Sequence, residues 1–284
     1  MTILITAASG HLGHLIIGSL IARGTAPADI VAGARTPDKV ADLADLGVRV
    51  VPFDYDRPDT LVAGFQSVER VVLVSSSEFG KRAVQHQNVI DAAKNAGVNA
   101  IAYTSVYQAT TNPLPLSPEH AATEQALAVS EIPHVLLRNG WYIENYAPDV
   151  ERARQSGVIA AAVGDARVAA AARADYAEAA AIAITDDAYL GRTLELVGDD
   201  AFSYEELASA VGALLGSDVS YQPLTSEQLI HSLRAAGLDE GTAGFVAGLD
   251  AGIADGALDS ADRTLSGILG RPTTPLLEGL RAIR

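Results

Sequence analysis

Ala7, Gly10 and Gly13 recur every third residue between a short β-branched run, Ile3-Leu4-Ile5-Thr6, and a segment in which Leu12, Leu15, Ile16 and Leu20 return at helical spacing. Small residues at a strand-to-helix turn let the backbone approach an anion, and the free N–H groups and dipole of the helix start favour negative charge. No basic side chain is needed. A full dinucleotide fingerprint has glycine at all three positions, and here alanine takes the first. Alanine is the least intrusive replacement but lacks glycine's access to positive φ, so a tightened turn and a weakened pyrophosphate site are expected. Arg35 ends the next apolar run, Ile30–Ala34. An acid there would accept from a ribose 2′-hydroxyl; an arginine would hold a 2′-phosphate as a fork. With no carboxylate at that strand end, the expected cofactor is NADPH rather than NADH, with Lys39 as a weaker second contact. His11 and His14 share a helix face, but no third ligand lies nearby and no metal site is expected.

The elements that must carry these residues alternate regularly. Strands are expected at residues 3–6, 30–34, 49–53, 70–74, 100–104 and 134–138, with helices at 38–45, 59–65, up to 96, and 118–130 between them. That order specifies an α/β fold, a Rossmann-type doubly wound parallel sheet with right-handed crossovers, whose ligands sit outside the carboxyl ends of the strands. Past Asn145 the alternation loosens. A helix to residue 155, a second at 175–185, a strand at 193–197, helices at 204–215 and 226–236 and a strand at 219–224 suggest a smaller α/β lobe. The expected division is a cofactor-binding domain at 1–155 and a substrate-side lobe at 156–284, with 174–198 packing back on the sheet.

Composition excludes several functions. The 284 residues carry a formal charge of −15, which repels nucleic-acid phosphate and anionic lipid, so no nucleic-acid or membrane partner is expected. There is no cysteine, hence no disulfide or thiol nucleophile. Apolar runs fall short of the ~20 residues that cross a bilayer, and Met1-Thr2 leads straight into the first strand, making the cytoplasm the default location. Six acids and no Lys or Arg between Asp239 and Asp262 read as a solvated face.

Thr6 to Leu15, Ala34-Arg35-Thr36-Pro37, Leu73-Val74-Ser75-Ser76-Ser77-Glu78 and Gln85-His86-Gln87-Asn88-Val89-Ile90 resemble the NmrA-like atypical short-chain dehydrogenases. Tyr103-Thr104-Ser105, His120 with Thr123-Glu124, Leu136-Leu137-Arg138-Asn139-Gly140-Trp141-Tyr142-Ile143-Glu144-Asn145, Arg173-Ala174-Asp175-Tyr176 and Leu269-Gly270-Arg271-Pro272-Thr273-Thr274 are similar to the bacterial type 2 NAD(P)H:quinone oxidoreductases within that group. The resemblance spans the chain and implies a two-domain, flavin-independent, NADPH-preferring reductase of quinone-like acceptors. It also implies roles at matching positions. Ala7, Gly10, His11 and Leu12 would line the pyrophosphate turn, and Arg35 would meet the 2′-phosphate. Ser75, Ser76 and Ser77 would border the adenosine and its ribose. Asn139, Gly140, Trp141, Tyr142, Ile143 and Glu144 would border the nicotinamide, and Arg173 would close the site from the second lobe.

Ordinary members of the wider superfamily protonate a carbonyl with a Tyr-x-x-x-Lys pair beside a serine. Ser105 stands at the serine position, but the pair reads His120 and Glu124. A quinone makes a milder demand, since its oxygen takes charge into an aromatising ring, and alignment can suffice. His120 is the candidate proton donor, against a bland alternative as a surface or capping residue. Asn139 and Trp141 are the candidate positioning groups, Trp141 and Tyr142 forming a wall for a flat acceptor. Two rival functions stay open: a non-catalytic dinucleotide sensor, and a reductase of another conjugated acceptor such as a dye. A homodimer is left open as well.

Overall fold

The computed structural model describes residues 1–283. In chain order the first half runs β1 (Ile3–Ile5), α1 (His11–Ala22), β2 (Ile30–Ala34), α2 (Ala41–Asp45), β3 (Arg49–Pro52), α3 (Pro58–Gly64), β4 (Arg70–Leu73), α4 (Arg82–Ala96), β5 (Ala100–Val106), α5 (Ser117–Ser130) and β6 (His134–Asn139). There follow α6 (Ala147–Ser156), β7 (Val158–Ala161), α7 (Arg173–Thr185), β8 (Thr193–Leu196), α8 (Tyr204–Leu215), β9 (Ser220–Pro223), α9 (Ser226–Ala235), α10 (Glu240–Ala254), α11 (Thr264–Leu269) and α12 (Leu276–Arg281). Among the described residues no helix is long and apolar enough to cross a membrane.

Two compact units interleave along the chain, where the sequence reading draws a boundary at residue 155 with 174–198 packing back on the sheet. The first comprises Met1–Ala109, Pro118–Asn139 and Arg173–Glu195; the second comprises Thr110–Ser117, Gly140–Ala172 and Leu196–Arg284. In the first, a seven-stranded sheet has the order β3-β2-β1-β4-β5-β6-β8. Ile3, Leu4 and Ile5 pair in parallel with Ile30, Val31 and Ala32 on one side and with Arg70, Val71 and Val72 on the other. The order turns back between β1 and β4, and that reversal opens the ligand crevice of such sheets. Strands covered on both faces read as unbroken apolar runs, which is why β1, β2 and β5 were legible. Leu4, Val31, Val71, Leu73, Ile101 and Tyr103 meet Phe53, Phe65, Val89, Ile90 and Leu127 in one core. α7 packs along α1 and against β4 and β5. Its buried alanines, among them Ala177, Ala180, Ala181 and Ala183, allow that approach.

The second unit has its own core, in which Tyr146, Val150, Ile159, Phe202, Tyr204, Leu207, Ile253 and Leu280 are buried together. β7 and β9 pair in parallel beside it, Val158 with Ser220 through Ala161 with Pro223. The acidic stretch read as a solvated face carries the helix α10, which buries Ala243, Ala247, Gly252 and Ile253 while Asp239, Glu240, Asp255 and Asp259 are exposed. Its acids fall at helix-cap and flanking positions: Asp239 caps it by accepting from the Thr242 amide at 3.0 Å. Asp250 is the exception, accepting from the Ala162 amide at 2.7 Å, where burial raises its carboxyl above the usual range.

The β1–α1 turn corrects the expectation for Ala7. Ala7 itself sits at φ 48, in the left-handed region that glycine occupies freely. What holds it there is the approach of α1. A Cβ built on Gly13 would lie 2.6 Å from the Ala7 carbonyl oxygen, and the Gly10 amide donates to that same oxygen at 2.9 Å. Left-handed backbone costs a non-glycine residue about 1–2 kcal/mol, and glycine carries about 0.5–1 kcal/mol of extra backbone entropy. Ala7→Gly should therefore raise unfolding stability by about 0.5–1 kcal/mol. A lower denaturation midpoint at unchanged m-value would contradict the strain.

Candidate functional site

Thr6 braces the carboxyl ends of the two strands that flank the sheet's reversal. Its hydroxyl accepts from the Val74 amide at 2.9 Å and donates to the Tyr55 hydroxyl at 2.5 Å. Tyr55 in turn donates to the Val74 carbonyl at 2.8 Å. Beyond Thr6, Ser9, Gly10 and His11 are exposed while Leu12 turns inward to be buried. α1 begins at His11 with no side chain capping it and no acid in its first turn. The close backbone packing at Gly13, the bare helix start and the exposed turn fit a pyrophosphate held by main-chain donors. His14, on the next turn of the helix, lies 3.2 Å from Asp42.

The loop after β4 is fixed from beneath. Ser75 donates its amide to Thr104 Oγ1 at 2.9 Å. Ser76 is held through every polar group it has. Its amide donates to His86 Nε2 at 2.9 Å, its hydroxyl to Gln85 Oε1 at 2.5 Å, and its carbonyl accepts from Arg82 Nε at 2.7 Å. Glu119 on α5 receives Arg82 Nη1 at 3.1 Å and the Gly80 amide at 3.0 Å. Because an amide can only donate, His86 Nε2 carries no proton, and its Nδ1–H faces Thr123 Oγ1 at 2.9 Å. Desolvation, reinforced by the Arg82 charge, pushes the His86 imidazole down to about 3. Of the three serines carried over for the adenosine side, Ser76 is thus a structural tie, while Ser77 is exposed.

Arg35 stands at the end of β2, 62% exposed, as its reading required. The structure adds what the strand alone did not show: a carboxylate does reach it, from the other side of the sheet's reversal. Glu78 Oε1 lies 2.5 Å from Arg35 Nη1, and Glu78 Oε2 lies 3.4 Å from Lys81 Nζ. Partial desolvation would raise the Glu78 carboxyl, but Arg35 and Lys81 outweigh it and hold it below the usual range. No linear spacing links positions 35 and 78, so sequence reasoning had no means of pairing them.

The positions of the superfamily's proton relay are occupied by a different arrangement. Glu124 accepts from Ser105 Oγ at 2.6 Å and takes a two-pronged contact from Arg138, Nε at 2.9 Å and Nη2 at 2.7 Å. Arg138 Nη1 also reaches Glu195 at 2.8 Å. His120 is neither a surface nor a capping residue. It is 5% exposed, and its Nδ1 meets the Tyr103 hydroxyl at 2.8 Å. Burial lowers the His120 imidazole well below its usual value and raises the Tyr103 phenol.

Asn139 ends β6 buried, its carbonyl accepting from the Tyr107 amide at 2.8 Å. The run after it opens the second unit. The Gly140 amide donates to Leu196 at 2.7 Å, the Ala171 amide to Trp141 at 3.1 Å and the Ile143 amide to Ala171 at 3.0 Å. Trp141, Tyr142 and Glu144 are half-buried. Ile143 is fully buried, and a Cβ on Gly279 of α12 would fall 2.7 Å from its Cδ1, so only the Ile143 main chain is left to border a ligand. Arg173, expected from the second lobe, is the first residue of α7 and belongs to the first unit.

The two neutral buried imidazoles make a pH prediction. An unfolded histidine binds a proton below about 6.5 while His86 stays neutral to about 3, so stability is complete above 6.5 and is lost as pH falls from there. Each such imidazole removes up to about 1.4 kcal/mol per pH unit in that window. Denaturant titrations at pH 7.5 and 5 should differ by about 2 kcal/mol from His86 alone, and His86→Gln should remove that share while leaving the share due to His120. Equal stability of the unsubstituted protein at both pH values would refute the buried neutral state.

Comparison with known proteins agrees with this geometry. The profile of the NAD(P)H-binding family matches residues 7–187. Quinone oxidoreductase 2 of Escherichia coli (strain K12) is 45% identical over 98% of this chain and 97% of its own. The crystal structure of NADPH-dependent quinone oxidoreductase from Escherichia coli complexed with NADPH superimposes with a TM-score of 0.94, covering 98% of both chains. That of the Citrobacter sp. triphenylmethane reductase complexed with NADP(H) gives 0.93 at 31% identity, covering 100% of both. With the exposed strand-to-helix turn, the sheet reversal and the full-length likeness in agreement, the chain belongs to the NAD(P)H-binding family.

Proposed function

We propose that this chain is an NADPH-dependent, flavin-independent reductase of small quinone-like acceptors, acting in the cytoplasm. The observation that carries the reading is the likeness, over 98% of both chains, to a quinone oxidoreductase crystallised with NADPH. Ala7, Gly10, His11 and Leu12 hold the pyrophosphate, Arg35 the 2′-phosphate, and Ser75 and Ser77 border the adenosine on a loop tied down through Ser76. The run from Asn139 to Glu144 borders the nicotinamide, Trp141 and Tyr142 offer an aromatic surface for a flat acceptor, and Arg173 closes over the cofactor. The first unit is the cofactor-binding domain and the second supplies the acceptor side.

NADPH supplies a hydride, which with one proton converts a quinone to a hydroquinone and leaves NADP⁺. The chain's own residues then have to bind, align and exclude water, and little else. The ammonium that would lower a phenol in the Tyr-x-x-x-Lys pair is replaced by Glu124, whose charge is matched by Arg138 at 2.7 Å. The Tyr103 phenol is raised and the His120 imidazole bonded to it is lowered, so neither is poised to give up a proton near neutrality. The proton comes from solvent, and His120 acts by positioning. A triphenyl dye is also a conjugated electrophile that takes a hydride. The 31% identity to the triphenylmethane reductase favours such an acceptor as the second reading.

Mixing the protein with NADPH and a simple benzoquinone in a stopped-flow absorbance cell should show NADPH oxidation well above the enzyme-free rate. A rate no faster than that control would leave a dinucleotide sensor. General acids contribute about 10²–10⁴-fold, so His120→Ala should lower turnover by less than about 10²-fold. Trp141→Ala should cost more in quinone turnover than in NADPH binding. A His120→Ala loss of about 10²-fold or more would mean His120 is the proton donor, and a Trp141→Ala loss confined to NADPH binding would remove Trp141 from the acceptor side.

A further inference from the structure

Resting on the assignment of Arg35 to the 2′-phosphate, we propose that Glu78 sets the cofactor preference of this chain. It competes with the phosphate for Arg35 and accepts from a free ribose 2′-hydroxyl, so that NADH is used alongside NADPH.

Two structural facts carry this. The first is the contact itself, Glu78 Oε1 at 2.5 Å from Arg35 Nη1, with Lys81 3.4 Å from the other carboxylate oxygen. The second is that Glu78 is delivered there by a loop tied down at Ser76. Its amide donates to Ser76 Oγ at 3.1 Å, and Ser76 is tied through amide, hydroxyl and carbonyl to His86, Gln85 and Arg82. A phosphate dianion approaching Arg35 therefore meets a carboxylate already on the guanidinium and anchored beside it. Like charges repel, and turning the Glu78 side chain away gives up its pairing with both cations. A 2′-hydroxyl brings no charge. It can donate to the carboxylate while Arg35 stays paired, the role an acid at the end of the second strand plays in NAD-binding sheets. Arg35 at 62% exposed and Glu78 at 30% form a pair open to water, and such pairs are weak enough for phosphate to disrupt. The outcome is a graded preference in which Arg35 favours NADPH and Glu78 opposes it.

The test is fluorescence titration of NADPH and NADH against the unsubstituted protein, Glu78→Gln, Glu78→Ala and Arg35→Ala, each checked for an unchanged melting temperature. Glu78→Gln keeps the side chain's size and removes its charge. It should tighten NADPH by about 3- to 10-fold and weaken NADH by a similar factor, the opposite signs being the signature. Glu78→Ala should move both cofactors the same way as Glu78→Gln. If both Glu78 variants leave the two affinities unchanged, or move them in the same direction, while Arg35→Ala still weakens NADPH selectively, the role of Glu78 is overturned and that of Arg35 stands. If Arg35→Ala weakens both cofactors equally, the 2′-phosphate assignment falls and this inference falls with it.

Discussion

Every strand of a parallel sheet stops with amides and carbonyls that the neighbouring strand no longer reaches, and a ligand crevice forms in that place. The interior can tolerate such an opening only if side chains take over the stranded polar groups. Here Thr6, Tyr55, Thr104 and His86 do so, linking the ends of β1, β4 and β5 by hydrogen bonds of 2.5–2.9 Å. The same bonds fix the turn after β1 and the loop after β4, so satisfying the sheet and preparing a cofactor surface are one physical requirement. Burying the His86 imidazole is a consequence of it. An uncharged ring nitrogen is an acceptor for a buried amide that needs no counter-ion, unlike a carboxylate at the same place.

The centre of the domain keeps the superfamily's scaffold while inverting its electrostatics. A lysine position has become Glu124, and the arginine that balances it, Arg138, comes from the adjacent strand β6 and is shared with Glu195 on β8. Breaking such a buried pair leaves an uncompensated charge and costs several kcal/mol, so the three residues are coupled in any substitution. Ser105 survives from the ordinary relay, but its hydroxyl is committed to Glu124. Chemistry that relies on alignment instead of proton delivery is compatible with such a centre; chemistry that must drive a proton onto an alkoxide is not.

Much of this was legible in the residues. Strands buried on both faces announce themselves, and β2 was read with its observed ends, Ile30 and Ala34. α8 was read to the residue as well, its start marked by the Ser203–Glu206 capping box and its stop by Gly216 at φ 68. β7 was missed because Val158–Ala161 is a short run inside a longer Ala/Val stretch with no period of its own. α10 was missed because glycines and acids interrupt its apolar face, and only the packing of Ala243, Ala247 and Ile253 gives them a common side. The turn at Ala7 was read in position but not in conformation, since the force that holds it left-handed comes from the helix backbone at Gly13. His120 and Glu78 fall outside sequence reasoning for one reason: their partners lie in other elements, and burial and pairing are properties of the assembled sheet.

The threading of the chain also dictates an order of assembly during synthesis. The first unit is made of three separate stretches, the last being Arg173–Glu195. α7 covers β4 and β5 and lies along α1. On the ribosome the six N-terminal strands can pair as they emerge and α1 can cover part of one face, yet the strip of that face over β4 and β5 has no cover until residues 140–185 have also been translated, most of them belonging to the other unit. The nascent N-terminal half must wait with a sticky apolar surface bare, whatever its own strands can do. A chain released early, or cut at residue 155, would be left in that condition permanently. Sheet and cover are one folding unit, and no contiguous fragment ending before α7 can be expected to stay in solution as a working nucleotide-binding domain.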